Sequence, residues 1–270
     1  MVRSPRFVCV ATRAPQGQCD VETRPVPSLL LSRRWLRAPL LRGVIALVES
    51  LLVGTWALMT SARAVHPDAT TLSPARVRLT LLRSLAISVV LFFLVPALLV
   101  RALAGIVASP LDQNLLEGAI RIALVLAFLV FIGRIPAIQR VFQYHGAEHK
   151  AIHAYETGLP LDVASTGHAS RFHPRCGTTF LLMVLLVAIL VFALLGHPSL
   201  ALRLVERVLL LPVIAAVSFE LMRLAQRSRP FRLLVIPGLW LQRLTTREPD
   251  AGQLSVALAA LTEVLARERA

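Results

Sequence analysis

The feature that most constrains this chain is a series of apolar runs too long for a soluble domain of its size. A helix rises about 1.5 Å per residue and the hydrocarbon core of a bilayer is about 30 Å thick, so roughly 20 mostly apolar residues make a span. Four segments meet that requirement: 84–104, uncharged until Arg101; 115–138, with Glu117 and Arg121 near its start and Arg134 near its end; 178–196, with no charge; and 202–224, uncharged in its centre. A fifth, 43–60, is shorter and carries Glu49. A charge in mid-span is costly, so it reads as a re-entrant or interfacial helix, with a true span as the alternative. Gly43, Val44, Leu47, Leu51, Gly54 and Leu58 would form its apolar face.

The 270 residues are 56% hydrophobic and 16% charged. That balance argues against a soluble enzyme and excludes a disordered chain. Three cysteines, Cys9, Cys19 and Cys176, without repeated spacing do not make a disulfide scaffold. The net charge is +14. The arginines sit at the ends of apolar runs rather than in one stripe, which fits positive-inside anchoring and speaks against nucleic acid. The loops at 105–114 and 196–201 carry no Lys or Arg, whereas the loop after the second span holds Arg140, Lys150, Arg171 and Arg175. Four spans with both termini cytoplasmic put every basic segment inside.

The expected architecture is an all-α integral membrane protein of the cell membrane, with about four transmembrane helices, a re-entrant or interfacial helix and cytoplasmic helices. Residues 1–28, with Arg3, Arg6, Arg13, Arg24 and four prolines, read as an unstructured lead, and the apolar piece 7–11 is too short for a signal peptide. Residues 29–78 form a basic segment with the re-entrant or interfacial helix, and 79–225 the four-span domain with a cytoplasmic loop at 140–177. Residues 226–270 form a cytoplasmic tail. In that tail Asp250 and Gln253 have capping-box spacing, and Leu254, Leu258, Leu261 and Leu265 make one apolar stripe.

The cytoplasmic loop carries the chemistry. Gly158 and Pro160 stop a helix that holds His145, Glu148, His149 and His153, and that helix is expected to continue the second span past a bend at Pro136. His145 and His149 are four apart on one face and can reach one tetrahedral ion. The string H-x-x-E-H is the inverted zincin pattern, in which the glutamate is a general base beside a metal. His153 lies eight residues from His145, about 12 Å along the axis, too far to share the ion. Glu220, ending the last span on the cytoplasmic face, is the first choice for a third ligand; His173 and Cys176, three apart before the third span, come next, and Glu156 could reach if the helix end bends. Cys176 as a nucleophile beside Arg175 ranks below a ligand role. Glu49 either lines the site or pairs with an arginine.

Tyr144-His145-Gly146-Ala147-Glu148-His149-Lys150, Tyr155-Glu156 and His173-Pro174-Arg175-Cys176-Gly177-Thr178, read in order, resemble the YqhQ family of bacterial membrane proteins. So do Arg42-Gly43-Val44 with Glu49-Ser50 and Ala57-Leu58, and the stretch from Gly238-Leu239 to Glu248-Pro249-Asp250. The resemblance covers about residue 42 to the C-terminus and implies a metal-dependent enzyme. The chain departs from that pattern in lacking a glycine-rich stretch upstream of Arg42, in Ser255, and in Phe219 before Glu220.

The leading expectation is a membrane-embedded metal-dependent enzyme, a hydrolase at the cytoplasmic membrane face. His145 and His149 would bind a divalent ion, zinc first, Glu148 would activate water, and Glu220, His173 or Cys176 would complete the site. Its partners would be membrane lipids, with a lipid-linked molecule or a membrane peptide as substrate. The competing expectations are a transporter or assembly factor using Glu117, Arg121, Glu206, Arg207 and Glu220, and a basic scaffold for anionic lipid.

Overall fold

The computed structural model describes residues 1–13, 19–26, 28–29, 33–65, 74–103, 105–107, 109–195 and 199–270. Parts of the lead and of the uncharged loops, including 14–18 and 196–198, lie outside the described residues. The described chain is mostly helical, and five helices are long and apolar enough to cross a membrane, with mean hydropathy between 1.7 and 2.7.

The lead is not unstructured. Strands β1 (Val2–Arg3), β2 (Phe7–Arg13) and β3 (Cys19–Pro25) form an antiparallel sheet in the order β1-β2-β3. Val8, Cys9 and Val10 are buried. The apolar, β-branched run that is too short for a signal peptide is long enough for a strand.

Helix α1 (Leu41–Val65) is one unbroken helix, which excludes a re-entrant hairpin. Its Glu49 is buried and satisfied by the lead: Arg3 Nη2 donates to it at 2.8 Å and the Leu29 amide at 2.9 Å. Helix α2 (Pro74–Val89) runs through a π-helical turn at Val90–Leu94 into α3 (Val95–Ala102), together making the first long apolar segment. Helix α4 (Pro110–Ile132) ends at Gly133, and α5 (Pro136–Glu156) begins anew with proline in its first turn. The expected bend at Pro136 is therefore a break. A proline ring fits the first turn, where an N–H has no intrahelical partner. Helix α5 stops before Gly158, which takes a positive φ of 72°.

After the short α6 (Val163–Gly167) come α7 (Gly177–Leu194) and α8 (Leu200–Arg227), apolar helices that pack on each other, while α4 packs on α7. A 3₁₀ turn (Pro230–Val235) leads into α9 (Ile236–Thr245) and then α10 (Ala251–Arg269). Leu126, Phe131, Leu190, Leu194, Leu209 and Val213 face outward. Such a surface is unfavourable in water and suits lipid.

Two cores result. One is within the apolar bundle and contains Met183, Val187, Phe192, Ile214 and Met222. The other lies outside it: Leu254, Leu258 and Leu261 of α10 pack on Ala147 and Ala151 of α5 and on Val2 and Cys9 of the sheet. The capping box at Asp250 and Gln253 is formed. The lead and the tail therefore fold together, and the Arg6 guanidinium reaches the Glu268 carboxylate at 2.8 Å.

The bundle also buries charge. Glu117 accepts from Arg121 Nη2 at 2.7 Å and from Arg207 Nη2 at 2.6 Å, and Arg203 Nη1 lies 3.5 Å away. Arg121 also donates to the Phe92 carbonyl in the π-helical turn at 2.7 Å. The i,i+4 pair expected from the sequence is present, enlarged by two arginines from α8.

Candidate metal centre

Helix α5 presents His145 and His149 one turn apart, with ring centroids separated by 4.4 Å. The start of α7 supplies Cys176, whose Sγ lies 3.2 Å from His145 Nε2. One ligand atom from each of these three residues falls within 4.8 Å of the others. All three come from the sequence-derived candidates; among the described residues this is the group of ligating side chains that converges.

The ring orientations are fixed from behind. His145 Nδ1 is 2.8 Å from the Thr245 carbonyl, and His149 Nδ1 is 2.7 Å from the Arg171 carbonyl. A carbonyl oxygen only accepts, so both Nδ1 atoms carry the proton, and in the neutral rings both Nε2 atoms are lone pairs. This is the outer support that metal-ligating histidines have, with a backbone carbonyl choosing the tautomer.

Cys176 caps α7, with the Thr178 amide 3.4 Å and the Thr178 hydroxyl 3.2 Å from its sulfur. Burial alone would raise its pKa, but hydrogen bonds from His145 and His149, the charge of His145 and Thr178 outweigh it and bring the thiol down to about 5. His145 shows the complement. Burial opposes its protonation, yet the bond and charge of Cys176 leave its pKa raised. The two shifts have one cause, the hydrogen bond between the His145 ring and the Cys176 sulfur.

The other candidates stand elsewhere. Glu220 stands outside the converging group: both its oxygens accept from Arg42, one through Nε at 2.6 Å, and the Leu40 amide approaches at 3.4 Å. Its partner is on α1, far away in sequence, rather than Arg223 one turn on. His173 is buried behind the centre. Its ring centroid is 5.9 Å from that of His149, its Nε2 donates to Glu156 at 3.1 Å, and its Nδ1 accepts from the Arg175 amide. Both ring nitrogens are thus engaged, and burial first, then the neighbouring His149, lowers its pKa. Glu156 is shared between His173 and Arg175. Glu148 is partly exposed and lies 3.4 Å from the amino group of Met1. His153 lies outside the group, as its spacing requires.

The residues that hold the centre together are ones the sequence did not single out. Gln242 of α9 is fully buried; its oxygen takes the His173 amide at 2.8 Å, and its Nε2 donates to the His173 carbonyl at 2.7 Å and to Thr179 at 2.8 Å. Gly146 is needed because a Cβ there would lie 2.1 Å from the Arg247 carbonyl. Lys150 is buried and ties α5 to the Gly167 carbonyl at 2.7 Å and to Glu248 at 2.8 Å. The motif around 238–250 is therefore the back wall of the centre. The signal that could have found it was the buried-type polar pair Gln242 and Thr245 on an otherwise apolar helix.

The fold and composition are those of a multi-pass helical membrane protein, with a His-His-Cys cluster beside its apolar bundle. Residues 38–267 match a family described as "Protein of unknown function (DUF1385)". The chain belongs to that family, in agreement with the YqhQ-type resemblance of its motifs. It is 37% identical over 249 residues to "Uncharacterized protein YqhQ" of Bacillus subtilis (strain 168), covering 86% of this chain and 78% of that protein. No solved structure matches it.

Proposed function

We propose that this protein is a membrane-embedded metal-dependent enzyme, a hydrolase working at the cytoplasmic membrane face. One observation carries the reading: His145, His149 and Cys176 point three electron-pair donors at one spot, and both imidazoles are locked in the tautomer that leaves Nε2 unprotonated. One proton shared between His145 Nε2 and Cys176 Sγ leaves the His149 Nε2 lone pair without a donor from that pair. A divalent cation satisfies all three. Two nitrogens and one sulfur suit zinc, and three protein ligands leave a coordination position open, as in catalytic rather than structural sites.

When bound, such an ion supplies Lewis acidity and lowers the pKa of water toward 7. The protein's own part is to hold and move protons. Thr245 and Arg171 keep the Nδ1 protons in place, and Cys176 is already a thiolate at neutral pH. Glu148, on the turn between the two histidines, takes the proton from the attacking water. Substrate comes from the bilayer, as a lipid-linked molecule or a membrane peptide. The polar residues that a transporter would need are engaged with one another, Glu117 with Arg121 and Arg207, Glu220 with Arg42.

The same reading gives the topology. The N-terminal sheet packs on α10, so both ends of the chain are on one side and the number of crossings is even. Of the five apolar helices, α1 is the one that stays out: the sheet lines it from Glu49 to the pocket at Thr60 and Arg63. It lies along the cytoplasmic surface, and four helices cross. A reporter fused after Gly158 and one fused after Val65 should both report cytoplasm; an external signal at the second would make α1 a span.

The enzyme reading is tested by loading the purified protein with cobalt. A thiolate-to-cobalt absorption band that Cys176→Ser abolishes is expected, and Glu148→Gln should keep the band while losing function in a strain deleted for the gene. A cobalt spectrum indifferent to Cys176→Ser would remove the centre described above.

A further inference from the structure

We infer that the cavity beside the metal centre binds a phosphate group, and that the ligand is a phosphate-bearing amphiphile entering from the cytoplasmic leaflet. The inference rests on the enzyme reading for what happens to this ligand, not for its binding. The cavity, about 620 Å³, lies where the end of α5 and residues 174–175 meet the end of α8, the 3₁₀ turn and α9. Arg175, Arg227, Arg232, Glu156, Val235 and Leu239 are in its wall.

Charge decides what fits. Glu156 is already shared by Arg175 and His173. Among the described residues no carboxylate lies within ion-pair distance of Arg227 or Arg232. Three arginines thus border one space whose acidic wall residue, Glu156, is already paired. The planar fork of arginine matches the oxygens of phosphate.

The rim decides the rest of the ligand. Phe231, Leu233, Leu234, Ile236 and Trp240, on the same turn and helix, are exposed. A row of apolar side chains with Trp and Arg is what an interfacial segment offers to acyl chains and headgroups together. The cavity also leads to the centre. Pro174 and Arg175 in its wall run directly into Cys176, and Glu156 in its wall bonds His173, whose ring neighbours His149. The wall of the cavity is thus connected, through Cys176 and His173, to the converging group.

The test uses the full chain in neutral detergent, titrated calorimetrically with soluble dihexanoyl phosphatidate, with dihexanoylglycerol and with inorganic phosphate. Metal content is measured on the same samples. Saturable phosphatidate binding is expected, weakened by about tenfold or more in Arg227→Gln/Arg232→Gln. It should be unchanged in Arg229→Gln, an exposed arginine of the same turn outside the cavity. Phosphatidate binding no tighter than dihexanoylglycerol, or equal losses in Arg229→Gln and the double variant, would overturn the site. Inorganic phosphate binding as tightly as phosphatidate would overturn the amphiphile and leave a free phosphate as ligand. Phosphatidate binding by protein that takes up no metal even after loading would keep the cavity and remove the enzyme reading; metal retained without phosphatidate binding would do the reverse.

Discussion

Two buried polar clusters in this molecule are built on opposite principles. Around Glu117, one carboxylate is ringed by Arg121, Arg203 and Arg207, so that the anion is paired inside the apolar bundle although the cations outnumber it. Around Cys176, His145 and His149 converge with a thiol, and every group offers an electron pair. The first cluster contains its own counter-charge and holds helices α4 and α8 together. The second lacks a cation, while its backing from Thr245 and Arg171 is as well made as that of the first. Buried polar groups are kept only when they are satisfied. A closed ion cluster therefore reads as architecture, and a converging set of Lewis bases reads as a site for an ion.

The largest effect expected is at the closed cluster. Glu117→Gln leaves three arginines buried without a carboxylate and should cost about 3–5 kcal/mol, read as a steep fall in the melting temperature in detergent. Metal per folded chain should not change. Equal loss of metal and stability would mean the two clusters are one system. Next comes Gly146→Ala, which pushes a methyl group against the Arg247 carbonyl. It should cost about 1–3 kcal/mol and, unlike Glu117→Gln, should also weaken metal binding because it lies between His145 and His149.

Proton competition should separate the ligands. Cys176, held at about 5, is ionised through the neutral range and does not limit binding there. His145, with its pKa raised, must lose a proton before it can ligate. Metal affinity should therefore be flat at alkaline pH and fall by about tenfold per pH unit as pH drops below the raised His145 value, steepening near pH 5 as the thiol protonates. The metal-free protein has two opposing linkages. The depressed thiol contributes stability that is complete above its unfolded value and lost as pH falls toward 5. The raised imidazole contributes stability that is complete below its unfolded value and lost as pH rises through the folded one. Stability of the apo form should then rise as pH climbs from about 5 and level off over the range in which the raised imidazole gives up its proton, which a melt series over pH would show. The smallest effect belongs to Glu220→Gln. Its partly exposed pair with Arg42 is worth under about 1 kcal/mol, and metal content should stay at the wild-type level; loss of metal would return Glu220 to the site.

What could be read from the sequence was what depends on neighbours along the chain. The apolar spans, the capping box at Asp250, the stripe on α10, the stop at Gly158 and the pairing of His145 with His149 are all local patterns. Two of the three converging ligands followed from helical spacing alone. The third was named only among alternatives, because Glu220, His173 and Cys176 are equally near the same membrane face in sequence and only packing distinguishes them. Arg42, 178 residues away, claims Glu220, and the Gln242 clamp fixes His173 behind the site rather than in it. The N-terminal sheet was missed for a different reason. Residues 7–11 are too short for a signal-peptide core, and so short an apolar run does not by itself announce a strand. What stabilises them there is α10, more than 200 residues further on.

The most direct test is elemental analysis of the protein purified in detergent, wild type beside His145→Ala/His149→Ala. The account predicts close to one divalent ion per chain in the wild type, zinc foremost, and none in the double variant folded to the same extent. No metal in the wild type, even after loading, would contradict it and leave His145, His149 and Cys176 as a hydrogen-bonded polar cluster.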